Sequence, residues 1–97
     1  MRIVSRKALK EFAARFPDAE GQLDAWFHEA RKARWQTPAD IKAKYGSASI
    51  LKDSRVVFNI CGNKYRIVVK INYKNGIMFI RFIGTHGEYN QINAEEV

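Results

Sequence analysis

The stretch RVVFNICGNKYRIVVKINYKNGIMFIRFIG, residues 55–84, decides the fold. Its apolar residues recur at a period of two, the pattern of strands buried on one face. Gly62-Asn63 and Asn75-Gly76 cut it into three strands, Arg55 to Ile60, Lys64 to Tyr73 and Ile77 to Ile83. Glycine and asparagine accept the positive φ that two-residue hairpin turns demand, so the segment reads as a β-meander whose register can be deduced. The first turn pairs Ile60 with Tyr65, Phe58 with Ile67 and Val56 with Val69. The second pairs Tyr73 with Met78, Ile71 with Ile80 and Val69 with Phe82. Both turns predict the same apolar face.

On the opposite face the same register pairs Asn59 with Arg66, Val57 with Val68, Arg55 with Lys70, Lys70 with Arg81, Val68 with Ile83 and Arg66 with Thr85. Arg55, Lys70 and Arg81 thus form a basic row across three strands, with Arg66 one pair further along. Like charges directly opposite each other weaken a sheet by about 0.2–1 kcal/mol, so the row points to a bound polyanion and not to a need of the fold. Between Lys52 and His86 there are seven Lys or Arg and one acid, Asp53. Phosphates relieve such repulsion while releasing counterions, and Tyr45, Trp35, Phe79 or Tyr89 are candidates to stack on bases.

Outward from the meander, the first half of the chain is helical. After a β-like start at Arg2 to Ser5, Ser5 is placed to cap a helix carrying Leu9, Phe12, Ala13 and Phe16 at i, i+3, i+4, i+7. Pro17 stops it, and Asp18 is expected to cap a second helix with Leu23, Trp26, Phe27 and Ala30 on one face, the two forming an αα-hairpin. Thr37-Pro38-Ala39-Asp40 opens a third short helix ending near Tyr45 and Gly46. The expected fold class is α+β, one domain spanning residues 1–97.

Composition sets the bounds. The chain has 97 residues, 46% of them hydrophobic, and 17 Lys plus Arg against 10 Asp plus Glu for a net charge of +7. That supports one small folded domain with a polyanionic partner. A lone cysteine, Cys61, excludes an internal disulfide framework and a CxxC zinc site, and points to a reducing compartment. No run of residues is apolar enough to span a membrane, and Met1 to Lys7 becomes charged too early for a secretion signal, so the expected location is the cytoplasm.

The densest polar cluster, Gly84-Thr85-His86-Gly87-Glu88-Tyr89-Asn90, follows the third strand. Cleavage of RNA by its own 2′-hydroxyl needs a base or orienting group, a proton for the leaving oxygen, and cations on the phosphorane. Arg66, Arg81, His86 and Tyr89 have those chemistries. Elsewhere the plain reading prevails: His28 is a solvated histidine, Glu88 a residue of a helix N-terminus, Cys61 an exposed thiol, and Trp26 and Phe27 are core. Trp35 is either packed or a contact. Two histidines and one cysteine make no zinc site, and there is no glycine-rich phosphate loop, so neither metal nor nucleotide cofactor is expected.

The pieces Val56-Val57-Phe58-Asn59-Ile60, Gly62-Asn63-Lys64-Tyr65-Arg66 and Ile80-Arg81-Phe82-Ile83-Gly84-Thr85-His86-Gly87-Glu88-Tyr89, with Ser5-Arg6-Lys7-Ala8-Leu9 and the Trp26 helix, resemble the HigB group of bacterial toxins within the RelE/ParE superfamily. The resemblance implies a RelE-like fold, with N-terminal helices packed on one face of a twisted, mainly antiparallel sheet. It implies the toxin of a type II toxin–antitoxin pair that cleaves mRNA on the ribosome without metal, leaving a 2′,3′-cyclic phosphate. It further implies Arg66, His86 and Tyr89 as catalytic residues, Arg55, Lys64, Lys70, Arg81 and Lys52 as RNA contacts, and a HigA-like antitoxin with a helix-turn-helix domain. The alternative within the superfamily is a non-catalytic, ParE-like toxin that blocks a protein target such as gyrase.

Overall fold

In the computed structural model, which describes residues 1–97, strand β1 (Arg2–Val4) leads into α1 (Arg6–Arg15). Ser5 caps α1 by accepting the Lys7 N–H at 3.2 Å. Pro17 ends that helix and opens a 3-10 turn, Pro17–Ala19, which runs directly into α2 (Glu20–Lys32). Leu9 and Phe12 of α1 and Leu23, Trp26, Phe27 and Ala30 of α2 are buried, as their spacing predicts. Asp18 does not cap α2. The 3-10 turn already lets the Glu20 N–H find the Pro17 carbonyl, which frees the Asp18 carboxylate to turn towards the sheet.

Helix α3 (Pro38–Lys44) begins at the expected capping box, with Thr37 accepting from the Asp40 N–H and Asp40 accepting from the Thr37 N–H. A two-residue strand, β2 (Ser49–Ile50), which has no period to reveal it in the sequence, precedes β3 (Arg55–Ile60), β4 (Tyr65–Asn72) and β5 (Ile77–Thr85). The chain ends beyond α4 (His86–Tyr89). The strands form one sheet in the order β1-β5-β4-β3-β2, with β1 parallel to β5 and the remaining pairs antiparallel. With α1, α2 and α3 against one face of this sheet and α4 at the end of β5, the architecture is α+β, the RelE-like arrangement that the resemblance implies. Tyr65, Ile67, Val69 and Ile71 of β4 enter the main core with Phe58, Trp26 and Trp35.

The first hairpin keeps the deduced register throughout, from Ile60 opposite Tyr65 to Arg55 opposite Lys70. Gly62 takes φ +68° and the Lys64 N–H closes the turn on the Cys61 carbonyl at 3.2 Å. The second hairpin departs from it. Its loop is Tyr73 to Gly76, closed in part by the Asn72 side chain accepting the Asn75 N–H at 3.0 Å, so Asn72 faces Ile77 and Ile71 faces Met78. That is a slip of two residues, which preserves the faces. A β-bulge then inserts Arg81 between Ile80, opposite Val69, and Phe82, opposite Val68. One extra residue reverses which side chains face which way. Ile83, Gly84 and Thr85 accordingly lie opposite Ile67, Arg66 and Tyr65, and the expected pairs of Lys70 with Arg81 and Arg66 with Thr85 do not form.

The face away from the helices is not the open basic surface that the sequence suggests. Val57 and Val68 are buried there under a second, smaller core made with Ala94, Leu51, Phe82, Tyr89, Ile92 and Val97. Arg55 is 9% exposed. Its Nε and Nη2 donate to the Val97 main-chain oxygen at 3.0 and 2.7 Å, so it anchors this cover and is withdrawn from the surface. The row across the strands is therefore Arg55, Lys70, Phe79 and Val4, with an aromatic ring where an arginine is expected.

Gly84 owes its place to Phe82. A Cβ built there would lie 2.5 Å from Phe82 Cζ and 3.1 Å from Glu88 Oε1. Overpacking of this kind costs about 1–3 kcal/mol. Gly84→Ala should therefore lower the unfolding free energy obtained from a denaturant titration by an amount in that range, whereas Gly21→Ala, where a Cβ meets nothing within 4 Å, should not lower it.

Candidate functional site

Strand β5 runs into α4 at a corner that gathers three of the residues singled out in the sequence. Thr85 accepts the Glu88 N–H at 3.1 Å and Glu88 returns the bond to the Thr85 N–H at 2.9 Å. This capping box fixes His86 as the first residue of the helical turn and Tyr89 as its last. The His86 N–H donates to the Lys64 carbonyl at 3.0 Å, tying the turn to the head of β4. Glu88 is thus a helix-end residue, as its position suggests. It also lies 3.8 Å from Arg15.

Arg66, one pair along β4, lies with its guanidinium carbon 4.7 Å from the centre of the Tyr89 ring. Phe82 packs beside Tyr89, the two ring centres 6.5 Å apart. Phe82 reaches this position because the bulge turns it to the outer face, and Gly84 leaves room for it. Arg66 makes no ion pair, and its Nε is buried without a hydrogen-bond partner. A guanidinium held over an aromatic face is attracted by the ring quadrupole, and the N–H donors that are not buried remain for an anion. His86, the first residue of the same turn, is exposed.

The other predicted contacts divide. Lys64 is engaged by Asp18, whose Oδ2 meets its ammonium and whose Oδ1 accepts the Tyr65 hydroxyl at 2.7 Å. The hydrogen bond from Lys64, then that from Tyr65, holds the Asp18 carboxyl below its ordinary value of 3.8. Lys52, in the loop before β3, sits at the far end of that strand from the Arg66 pair. Lys70 and Arg81 are exposed, Lys70 opposite Phe79 and Arg81 on the bulge. Among the aromatic candidates, Trp35 is buried and stacks on Phe58 with ring centres 6.2 Å apart, while Tyr45 donates its hydroxyl to Glu29. Those two are packing residues. Phe79 and Tyr89 remain on the outer face.

Two features of the site escape sequence reading. The bulge that delivers Phe82 has no glycine or proline to mark it, and the Asp18 pairing joins residues far apart in the chain. The charge distribution is visible in the sequence once the strands are known: none of the ten Asp and Glu residues falls within a strand.

The profile of the HigB toxin family, described as the RelE-like toxic component of a toxin–antitoxin system, matches residues 19–92. The chain belongs to that family. It is 31% identical over 96 residues to the mRNA interferase toxin HigB of Escherichia coli K12, covering 97% of this chain and 92% of that protein. The mRNA interferase HigB of Escherichia coli O157:H7 shows the same identity and coverage. The mRNA interferase HigB of Escherichia coli O6:H1 is 23% identical over 94 residues, which cover 95% of this chain and 91% of that protein. Within the HigB family match lie all of the strands of the meander, the Arg66 and Tyr89 pair and His86.

Asp18 and Glu88 both tie the corner to the helices, and both titrate low. The Thr85 N–H is the main cause for Glu88, which lies below its ordinary value of 4.5. A carboxyl whose folded value is depressed stabilises the fold above its unfolded value, and the contribution disappears as pH falls through the folded value. An acid titration followed by circular dichroism should show wild-type stability declining from about pH 5 downwards. The doubly substituted Asp18→Asn, Glu88→Gln chain should decline less steeply over the same range.

Proposed function

We propose that this HigB-family toxin is an endoribonuclease that cleaves mRNA during translation, with Arg66, His86 and Tyr89 as its catalytic residues. The observation that carries the reading is the unpaired Arg66 guanidinium laid on Tyr89 at the corner that presents His86. The names of the relatives, mRNA interferases, support the substrate class.

The chemistry asks little of the protein. The ribose 2′-hydroxyl attacks the adjacent phosphorus, the phosphorus–O5′ bond breaks, and a cyclic phosphate and a 5′-hydroxyl result. One proton leaves the attacking oxygen and one reaches the departing oxygen, so an acid–base group within reach of the phosphate is required. His86 takes that part. Arg66 donates to the phosphorane oxygens, where charge builds as the reaction proceeds, and Tyr89 holds the guanidinium in place and adds a phenol donor. RNA supplies the nucleophile, so the reading calls on no cofactor.

In this reading the ribosome holds the message extended for attack, the site of action is the cytoplasm, and a HigA-like antitoxin neutralises the toxin by covering its cationic surface. Lys70 and Arg81 contact the RNA backbone beyond the scissile phosphate. Lys64 does so only when a phosphate displaces its Asp18 partner, and Lys52 serves a more distant part of the strand.

In a purified translation reaction, 5′ ends of a defined message mapped by primer extension should show cleavage with wild-type chain. Arg66→Ala should reduce the rate by about 100- to 1,000-fold, the usual loss when a donor to a developing anion is removed. His86→Ala should reduce it by about 100- to 10,000-fold. Both variants should keep the far-ultraviolet spectrum of the wild type, and full cleavage by both would rule out this site.

A further inference from the structure

We infer that Phe79 is a base-stacking platform for the RNA strand, separate from the cleavage corner and reading a nucleotide next to or one removed from the scissile step. The inference rests on the proposed nuclease reading for its biological setting, although its physical argument concerns RNA binding alone.

Phe79 is 38% exposed, and Ile50, on the edge strand at the other side of the sheet, is the one other large apolar side chain exposed to this degree. Single exposed apolar residues are common, so the surroundings carry the argument. Across the ladder Phe79 lies between Lys70 on β4 and Val4 on β1. The adjoining row holds Arg2, Ile77 and Asn72, and Arg66 is further along β4 on the same face. Arg81, made exposed by the bulge, is two residues along β5. No position on this face of the strands is acidic. Lys70 and Arg81 make no ion pair.

A single ring exposed on a sheet face among cations has little to offer a protein partner, whose anchors seek deep apolar pockets. It suits a nucleobase, which offers a π-face to the ring and a phosphate to the neighbouring ammonium or guanidinium. Sheet-borne aromatics used this way stack successive bases of single strands. Arg66 and Lys70 are four residues apart, about 13 Å along the strand. That separation puts the base on Phe79 outside the nucleotide whose phosphate Arg66 holds, so Phe79 is a binding residue and takes no part in the bond-breaking step.

The test uses the full chain and a 2′-O-methyl oligoribonucleotide of mixed sequence, which lacks the nucleophile and reports binding without scission. Stacking on one aromatic side chain is worth enough that its loss should weaken the affinity of Phe79→Ala by about 5- to 150-fold. Phe79→Trp should retain or improve it. Both variants should keep the wild-type far-ultraviolet spectrum at the temperature of the assay, so that a change in affinity is not a change of fold. Unchanged RNA affinity in Phe79→Ala overturns the inference, and loss of antitoxin binding alone, with RNA affinity intact, overturns it in favour of a protein contact. Message cleavage by the wild-type chain is scored separately. Its absence would sink the nuclease reading, while the affinity ratio would still decide whether Phe79 stacks on RNA.

Discussion

One residue more in β5 than its neighbour can match governs the outer surface of the molecule. Up to Ile80, the side chains of β5 follow the register set by the Tyr73 to Gly76 loop. After Arg81 they follow the opposite one. Because a strand presents its residues alternately, this inversion sends Phe82 outward and sends Thr85 to the helix side, opposite Tyr65. Phe82 then packs beside Tyr89, Tyr89 supports Arg66, and Thr85 closes the box that starts the final turn at His86. A β5 without the extra residue would bury or scatter these groups.

Most of the fold is legible in the sequence because it is specified locally. Ser5, Pro17 and the Thr37 to Asp40 box mark helix ends by hydrogen bonds within a few residues, and the strands announce themselves by alternation. The first hairpin keeps its deduced register since Gly62 takes the positive φ that a two-residue turn needs. The second does not, because the Asn72 side chain satisfies a main-chain N–H and so favours a longer loop over the tight turn that Asn75-Gly76 suggests. The two-residue slip was harmless to the faces; the bulge was not, and nothing short of the packed sheet specifies it.

The candidate site was legible in composition and less so in arrangement. Arg66 lies over the Tyr89 ring and His86 opens the same turn, yet Arg66 faces Gly84 and not Thr85. Arg55, read as a surface cation, is consumed in holding the Val97 oxygen over Val57 and Val68. Lys64, read as an RNA contact, is engaged by Asp18, itself read as a helix cap. These departures have a common origin. A charged side chain chooses its partner by tertiary proximity, which neither periodicity nor a local motif encodes.

Acidic residues sit on the helices, turns and terminal segment, whereas the strands carry only cations among their charged residues. All five ion pairs draw their carboxylate from outside the sheet. Such segregation gives the protein a lopsided electric field in addition to its net charge. Uneven charge of this kind turns a protein as well as drawing it towards a charged partner, so part of the search for an orientation is completed before contact.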